Sequence, residues 1–591
     1  MPVARQNNNS AFSHHPFFDY DRTTQLGDSP VSESTKPVRR TSRGLALVFA
    51  FCCILHAIAP GNVAAQQPGE ERKPAMEFPA KKDWLNTAGP IKMADLKGKV
   101  VVFDFWTLCC INCMHILPDL AKLEKKYPNE LVVIGVHSAK FENEKDTKSI
   151  RKAVLRYEIA HPVINDADHE MWDAYNVQSW PSFVVIDTEG KYVGNTAGEG
   201  KFEILDKTIA TLIAEAKKKK TLNSDPIRFD LVRFRETGDT PLFFPGKIAA
   251  DSTGDRLAVA DSTHHRVVLM DKSGKKLDVI GAGSPGYKDG KFTDAKFDDP
   301  QGLAFDGDML YIADRKNHAI RTADLKTGIV KTIAGTGKQE ADYRARTNLN
   351  PRDALPTKLN SPWDLLIVDK KLFIAMAGHH QIWMLDLAKR KIQPVAGSGY
   401  EIIVDGPMFD AAFAQPSGLS TDGKNLFVAD SEGSAIRKIP LDGVAGVSTL
   451  VGTPDAANGA KGSSLFKFGD KDGTTDVARL QHALAVVSYN DNLLIADTYN
   501  SKLKLYDTAK KEVRTLIGGI DPNDKDKGPL LNEPAGMCRV GDTLYIADTN
   551  AHRIRVVNLK DNSISTLAIS GLEPPPPQKE WQPTKDEPKK K

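Results

Sequence analysis

The sequence predicts an α/β domain followed by an all-β ring of six blades. Two observations lead to this. Strand-like apolar runs alternate with helix-period segments around "WTLCCINCMH" (Trp106–His115), and a unit built from short strands recurs six times after about residue 225. Between the two patterns, "KKKKTLNSD" (about residues 218–226) reads as a solvated linker, which makes the ring independent of the first domain.

At ~150 residues per domain, 591 residues allow roughly four domain equivalents, and a repeat array absorbs much of that length. Net charge is +3, from 79 basic and 76 acidic residues, so no broad field points to a nucleic-acid partner. Six cysteines, three of them within Cys109–Cys113, are too few and too clustered for a disulfide framework.

Residues 1–65 read as a polar extension and a signal peptide. The apolar run Leu45–Ala59 follows the basic "RRTSR", is short for a membrane span, and leads to Val63-Ala64-Ala65, which places a mature start at Gln66. Cleavage removes Cys52 and Cys53 and places the chain in the periplasm or outside the cell, where disulfides persist. An uncleaved segment would instead anchor it to a membrane.

The first domain is expected over residues 78–220. "KVVVFDFW" (Lys99–Trp106) reads as a buried strand, and Ile116, Leu117, Leu120 and Leu123 share one face of a helix that Pro118 kinks. "LVVIGVHS" is a second strand and "DTKSIRKAVLRYEIA" a second helix. "PSFVVIDTEGKYVG" is a hairpin turning at Glu189-Gly190.

Four features make this stretch resemble the thioredoxin superfamily. Cys110-Ile111-Asn112-Cys113 joins a strand end to a helix start. Asp104 lies six residues earlier, Pro118 lies five residues later, and Trp180-Pro181 precedes a strand. The resemblance implies a cis-proline beside the dithiol and a buried Asp104 that accepts a proton from Cys113. A helix N-terminus favours a thiolate, so Cys110 is expected as the low-pKa nucleophile and Cys113 as the resolving thiol. The Ile-Asn pair between them leaves the direction of exchange open.

Other readings of the cluster stand beside this one. Haem attachment needs CxxCH, and Met114 intervenes. Structural zinc needs a second ligand pair, and none is visible. Buried inert thiols would give a redox-silent scaffold. Cys109 and Cys113 have the spacing of copper carriers of the Sco type, for which His137, His161 or His169 would supply the imidazole. His115 reads as a solvated or core histidine. No cofactor and no metal site are expected.

Residues 225–570 contain the repeats. "DPQGLAFDGDMLYIADRKNHAIR" (299–321), "QPSGLSTDGKNLFVADSEGSAIR" (415–437) and "EPAGMCRVGDTLYIADTNAHRIR" (533–555) are the clearest copies, with weaker ones near Pro245, Pro362 and Gln481. Asp261, Asp314, Asp430, Asp497 and Asp548 align, with Met376 in the remaining copy. Asn317-His318 with Ile320-Arg321 resembles the NHL repeat, which implies a six-bladed propeller. Residues repeated in every blade read as structural. A binding site is therefore expected among residues that differ between blades, on one face, with the insertions near 338–358 and 455–478 as candidates. Cys538 reads as a buried strand cysteine, and residues 571–591 as a disordered Pro/Lys-rich tail.

The order of the two domains resembles the thioredoxin-like/NHL-repeat fusion family of the NHL repeat-containing protein 2 type, whose pattern includes the full "CCINC". The function expected is an exported thiol-disulfide oxidoreductase. Cys110 and Cys113 are its catalytic residues, supported by Asp104, Cys109, Trp180 and Pro181. The expected partner is a protein thiol or disulfide substrate, with the propeller docking a protein or ligand.

Overall fold

A computed structural model describes residues 72–575 apart from 228, 233–239, 343–346, 456–462 and 520–529. The signal segment with Cys52 and Cys53, and nearly all of the C-terminal tail, lie outside the described residues. No described helix is long and apolar enough to cross a membrane.

The first domain is a six-stranded mixed sheet flanked by helices. Its elements are β1 (Trp84–Leu85), β2 (Val100–Trp106), α1 (Ile111–Lys126), β3 (Leu131–His137), α2 (Thr147–Arg156), β4 (Val163–Asn165), α3 (Glu170–Ala174), β5 (Ser182–Ile186), β6 (Tyr192–Ala197) and α4 (Phe202–Lys219). The strand order is β1-β4-β3-β2-β5-β6, with β2, β3 and β4 parallel and the others antiparallel to their neighbours. The central strands β2 and β3 are buried along their whole length, as their continuous apolar runs require. Alternation along β2 gives each face its own core. Val100 and Val102 pack with Ile116, Leu120 and Leu123 of α1 and with α4, while Val101, Phe103 and Phe105 pack with Met171 and Tyr175 on the other side. β1, β4, α3 and α4 are additions to the order expected from sequence. α4 carries Leu205, Ile209, Leu212, Ile213 and Ala216 as its buried stripe.

The linker is exposed but tied to the first domain. Asn223 N–H donates to Gly98 O at 2.9 Å, and the buried Lys99 ammonium donates to the carbonyls of Asn129 and Asp225 at 2.5 Å each.

Six antiparallel sheets form the propeller. Their innermost strands begin at Pro245, Pro300, Pro362, Pro416, Ala485 and Pro534, and three blades carry a fifth, two-residue strand at the outer edge. The ring closes where the last blade meets the first: Thr549 Oγ1 donates to Pro245 O at 2.8 Å, and Phe244 N–H donates to His552 Nδ1 at 3.1 Å. The repeated aspartates are fully buried. Asp314 accepts from Asp298 N–H (2.8 Å) and Arg321 (2.7 Å), and Asp430 from Ala414 N–H (2.7 Å) and Arg437 (2.9 Å). Each therefore pins the chain entering its blade to the third strand. In the blade with Met376, Trp383 stands where the arginine is, and its Nε1 donates to Gln381 Oε1 instead. The recurrent histidines join blades: His265, His318 and His380 each accept a backbone N–H from the following blade, from Asp299, Ser361 and Gln415 respectively.

Candidate functional site

The dithiol loop lies between β2 and α1. Cys110 is the N-cap of α1, and its Sγ accepts the backbone N–H of Cys113 at 3.2 Å. This leaves Cys113 in the first turn, facing Asp104 beneath. The Trp180-Pro181 bond is cis, and Trp180 packs into the same cluster as Cys109, Cys110 and Cys113. Pro118 lies inside α1. The structure thus brings together all six residues expected from sequence. All three thiols are free rather than joined in a disulfide.

One expectation is reversed. Cys110, placed at a helix start, was expected to have a lowered pKa. Instead burial pushes its thiol up, outweighing the hydrogen bond from Cys113, and Cys109 and Cys113 are pushed higher still by the same cause. Cys109, Cys110 and Cys113 are 1%, 8% and 2% exposed. The cause is the propeller, which covers the loop. The ring is therefore not independent of the first domain.

The cover is built from one position per blade. The aligned residue ahead of each innermost strand, Phe244, Asp299, Ser361, Gln415, His482 or Glu533, has a positive φ of 48–61°. These are the residues that differ between blades, and they meet the first domain. Gln415 reaches the dithiol loop itself: its Oε1 accepts the Ile111 N–H at 2.9 Å, and its Nε2 donates to Cys109 O at 3.0 Å. Ser361 Oγ lies 2.7 Å from His115 Nε2. Glu533 accepts from Asn143 at 2.9 Å, and Phe141 packs edge-on to His482. Asp299 holds Arg315, whose Nη1 contacts Met114 Sδ at 3.3 Å. Phe244 packs against Leu155 of α2.

The two insertions add to this cover. Gln339 donates to His115 Nδ1 and to Glu199, and Phe468 packs against Phe141. His115 is thus held between the domains rather than solvated.

Three charged groups missed by the sequence reading organise the loop. Glu144 is fully buried and accepts from Thr107 Oγ1, from Cys109 N–H at 3.0 Å and from Lys140 N–H at 2.9 Å. Lys140 forms a buried ion pair with Glu432 of the propeller, and the Glu432 carboxylate faces Cys109. Burial opposes both charges. The attraction between them outweighs it, raising Lys140 and lowering Glu432. The signal for Glu144 was weak, a lone acid in a charged loop. Gln415 could have been found by asking which repeat position varies.

The copper reading loses its geometry. Among the described residues no three His, Cys, Asp or Glu side chains converge on a metal-sized site. His169 Nε2 bonds Ala139 O, His137 stands edge-on to Trp106, and His161 lies against Glu124. Cys538 is half-buried rather than buried, on the innermost strand of the last blade.

A family model described as Thioredoxin-like matches residues 98–192. The chain is 43% identical over 520 residues to Protein SUPPRESSOR OF QUENCHING 1, chloroplastic, of Arabidopsis thaliana, covering 85% of this chain and 48% of that protein, about half its length. It is 40% identical over 530 residues to NHL repeat-containing protein 2 of Homo sapiens, covering 83% of this chain and 71% of that one. The first domain is also 29% identical over 145 residues to Thiol-disulfide oxidoreductase YkuV of Bacillus subtilis, covering 24% of this chain and 97% of YkuV.

Proposed function

Because the chain belongs to the thioredoxin-like/NHL-repeat fusion family that includes NHL repeat-containing protein 2, we propose that it exchanges thiols and disulfides through Cys110 and Cys113. The observation that carries this reading is the pair itself: Cys110 caps α1 and receives the Cys113 N–H at 3.2 Å, beside a cis-proline and above a buried carboxyl. In exchange, the Cys110 thiolate attacks a substrate disulfide and releases one substrate thiol. Cys113 gives up its proton, with Asp104 as acceptor, and its sulfur attacks Cys110 Sγ. The second substrate thiolate leaves and takes a proton from solvent. The two electrons lost by the dithiol appear as two substrate thiols. YkuV, by its name a thiol-disulfide oxidoreductase, supports the same chemistry.

The propeller serves as the docking platform in this reading, and its variable face already holds the chain's own redox loop. A protein substrate reaches Cys110 when that face yields. Cys110→Ser is expected to abolish disulfide reduction, Cys113→Ser to accumulate mixed disulfides, and Cys109→Ser to keep most activity. The assay is insulin-disulfide reduction by the full chain with a chemical reductant. Inactivation by Cys109→Ser alone, with Cys110→Ser active, would overturn the pair.

Export belongs to the same proposal, resting on Leu45–Ala59 and Val63-Ala64-Ala65. N-terminal sequencing of protein from its native host should read Gln66, and an intact Met1 in the cytoplasm would refute it. The raised thiols favour a second reading, a binding scaffold whose thioredoxin fold is redox-silent. Loss of no activity in any of the three variants selects it.

A further inference from the structure

Behind the dithiol, β2 and β3 run side by side with Asp104 opposite Gly135 and Trp106 opposite His137. Asp104 and Trp106 are two residues apart and share the face beneath α1. Several fully buried polar atoms on this face have no hydrogen-bond partner: both Asp104 oxygens, Trp106 Nε1 and the two ring nitrogens of His161. Such groups are rare enough in folded proteins that a cluster of them calls for a reason.

They converge over Gly135. A Cβ at that position would stand 2.9 Å from Trp106 Nε1 and 3.5 Å from His161 Nε2. Any side chain there would press on the Trp106 indole and the His161 imidazole. The other ring nitrogen, His161 Nδ1, lies 3.5 Å from Glu124 Oε1 near the end of α1. Glu124 is 28% exposed and lines a surface groove with Lys99, Pro128 and Asn129. The order of groups is therefore Cys113, Asp104, His161, Glu124, solvent.

We propose that Asp104, His161 and Glu124 form a proton path that carries the Cys113 proton out through the back of the first domain, on the side away from the propeller. The path rests on the exchange reading above for its purpose, and on the orphaned polar cluster for its existence. When Cys113 attacks Cys110 Sγ, its proton passes to the Asp104 carboxylate. No hydrogen bond joins Asp104 to His161, so Asp104 returns to the carboxylate by giving a proton through one bridging water to His161 Nε2, and His161 gives one from Nδ1 to Glu124, 3.5 Å away, which releases it to solvent. No group changes oxidation state along the path. His161 and Glu124 are positioning residues, since neither touches the reacting sulfurs.

The titratable groups facing Asp104 are Cys113 and Glu124 of α1 and His161 of the segment before β4, and those facing His161 are Glu124 and Asp104. Burial pushes Asp104 up to about 7, with His161 pulling it down and Glu124 pushing it up. Burial opposes the His161 charge, but the two carboxylates outweigh it and raise the imidazole. Carboxyl and imidazole are thus both raised, and a raised imidazole is the better proton acceptor.

Two measurements on the full chain test the path. In the first, the reduced protein reacts with dithiodipyridine, and two thiopyridones are timed. The first release reports Cys110 attack, and the second reports the Cys113 step. His161→Phe and Glu124→Gln are each expected to slow the second release about tenfold relative to the first at neutral pH, with Glu124→Asp restoring it. In the second, the infrared carboxyl band that Asp104→Asn removes is titrated. His161→Phe is expected to move its midpoint up by about one pH unit, because a positive neighbour is lost. Wild-type ratios in both variants, or an unmoved band, overturn the path. If the wild-type chain releases no thiopyridone, the exchange reading fails and the band alone decides: a shift supports the relay, and none overturns it.

Discussion

Asp104 has no hydrogen-bond partner and no exposure, and its carboxyl is raised from 3.8 to about 7. The sign of its effect on stability follows from this. The folded state binds the proton more tightly than the unfolded chain, so the contribution to stability is largest below the unfolded value. It is lost as pH rises from about 4 to about 7. Asp104→Asn should therefore stabilise the protein at pH 8, on the order of 3 kcal/mol, and flatten that part of the pH profile. Chemical denaturation across this pH range checks it. An unchanged profile would mean that the carboxyl is not buried as described. The same burial raises the thiols, and here residue-level reasoning from sequence went astray. A helix N-terminus lowers a thiol's pKa only where solvent and donors reach it, and Cys110 has a glutamine from the propeller placed over the first helical N–H.

Among the elements, the blades depend on a buried ion pair that the sequence displays openly. Asp430 and Arg437 are both fully buried, and Asp430 also takes the Ala414 N–H that starts the blade. Asp430→Ala would leave the guanidinium without its partner in the interior and should cost about 3–5 kcal/mol, read as a lowered denaturation midpoint. A cost below about 1 kcal/mol would contradict that role. These residues were legible because five of the six blades repeat the aspartate and give it a cation from the third strand. The first domain's central strands and α1 were legible from continuous apolar runs and helical spacing. β1 and β4, at two and three residues, were not, because so short a run carries no periodicity. The insertions were picked out as binding candidates, and what they reach is the chain's own His115 and Phe141.

For the whole molecule, the decisive contacts join residues some three hundred positions apart, such as Ile111 with Gln415 and Lys140 with Glu432. No local pattern encodes such a pairing. It becomes visible only when the ring brings six variable positions to one face and the first domain lies over them. The Cys110–Cys113 pair was therefore readable and its cover was not. The cover buries the dithiol under the propeller, and the proposed exchange requires that face to yield. The most direct measurement equilibrates the full chain in glutathione buffers of graded potential, quenches it in acid, alkylates the free thiols and maps them by mass spectrometry. The account predicts a single two-electron transition linking Cys110 to Cys113, with Cys109 and Cys538 alkylated throughout. No linkage at any potential, or a bond from Cys109 to Cys113, would contradict it.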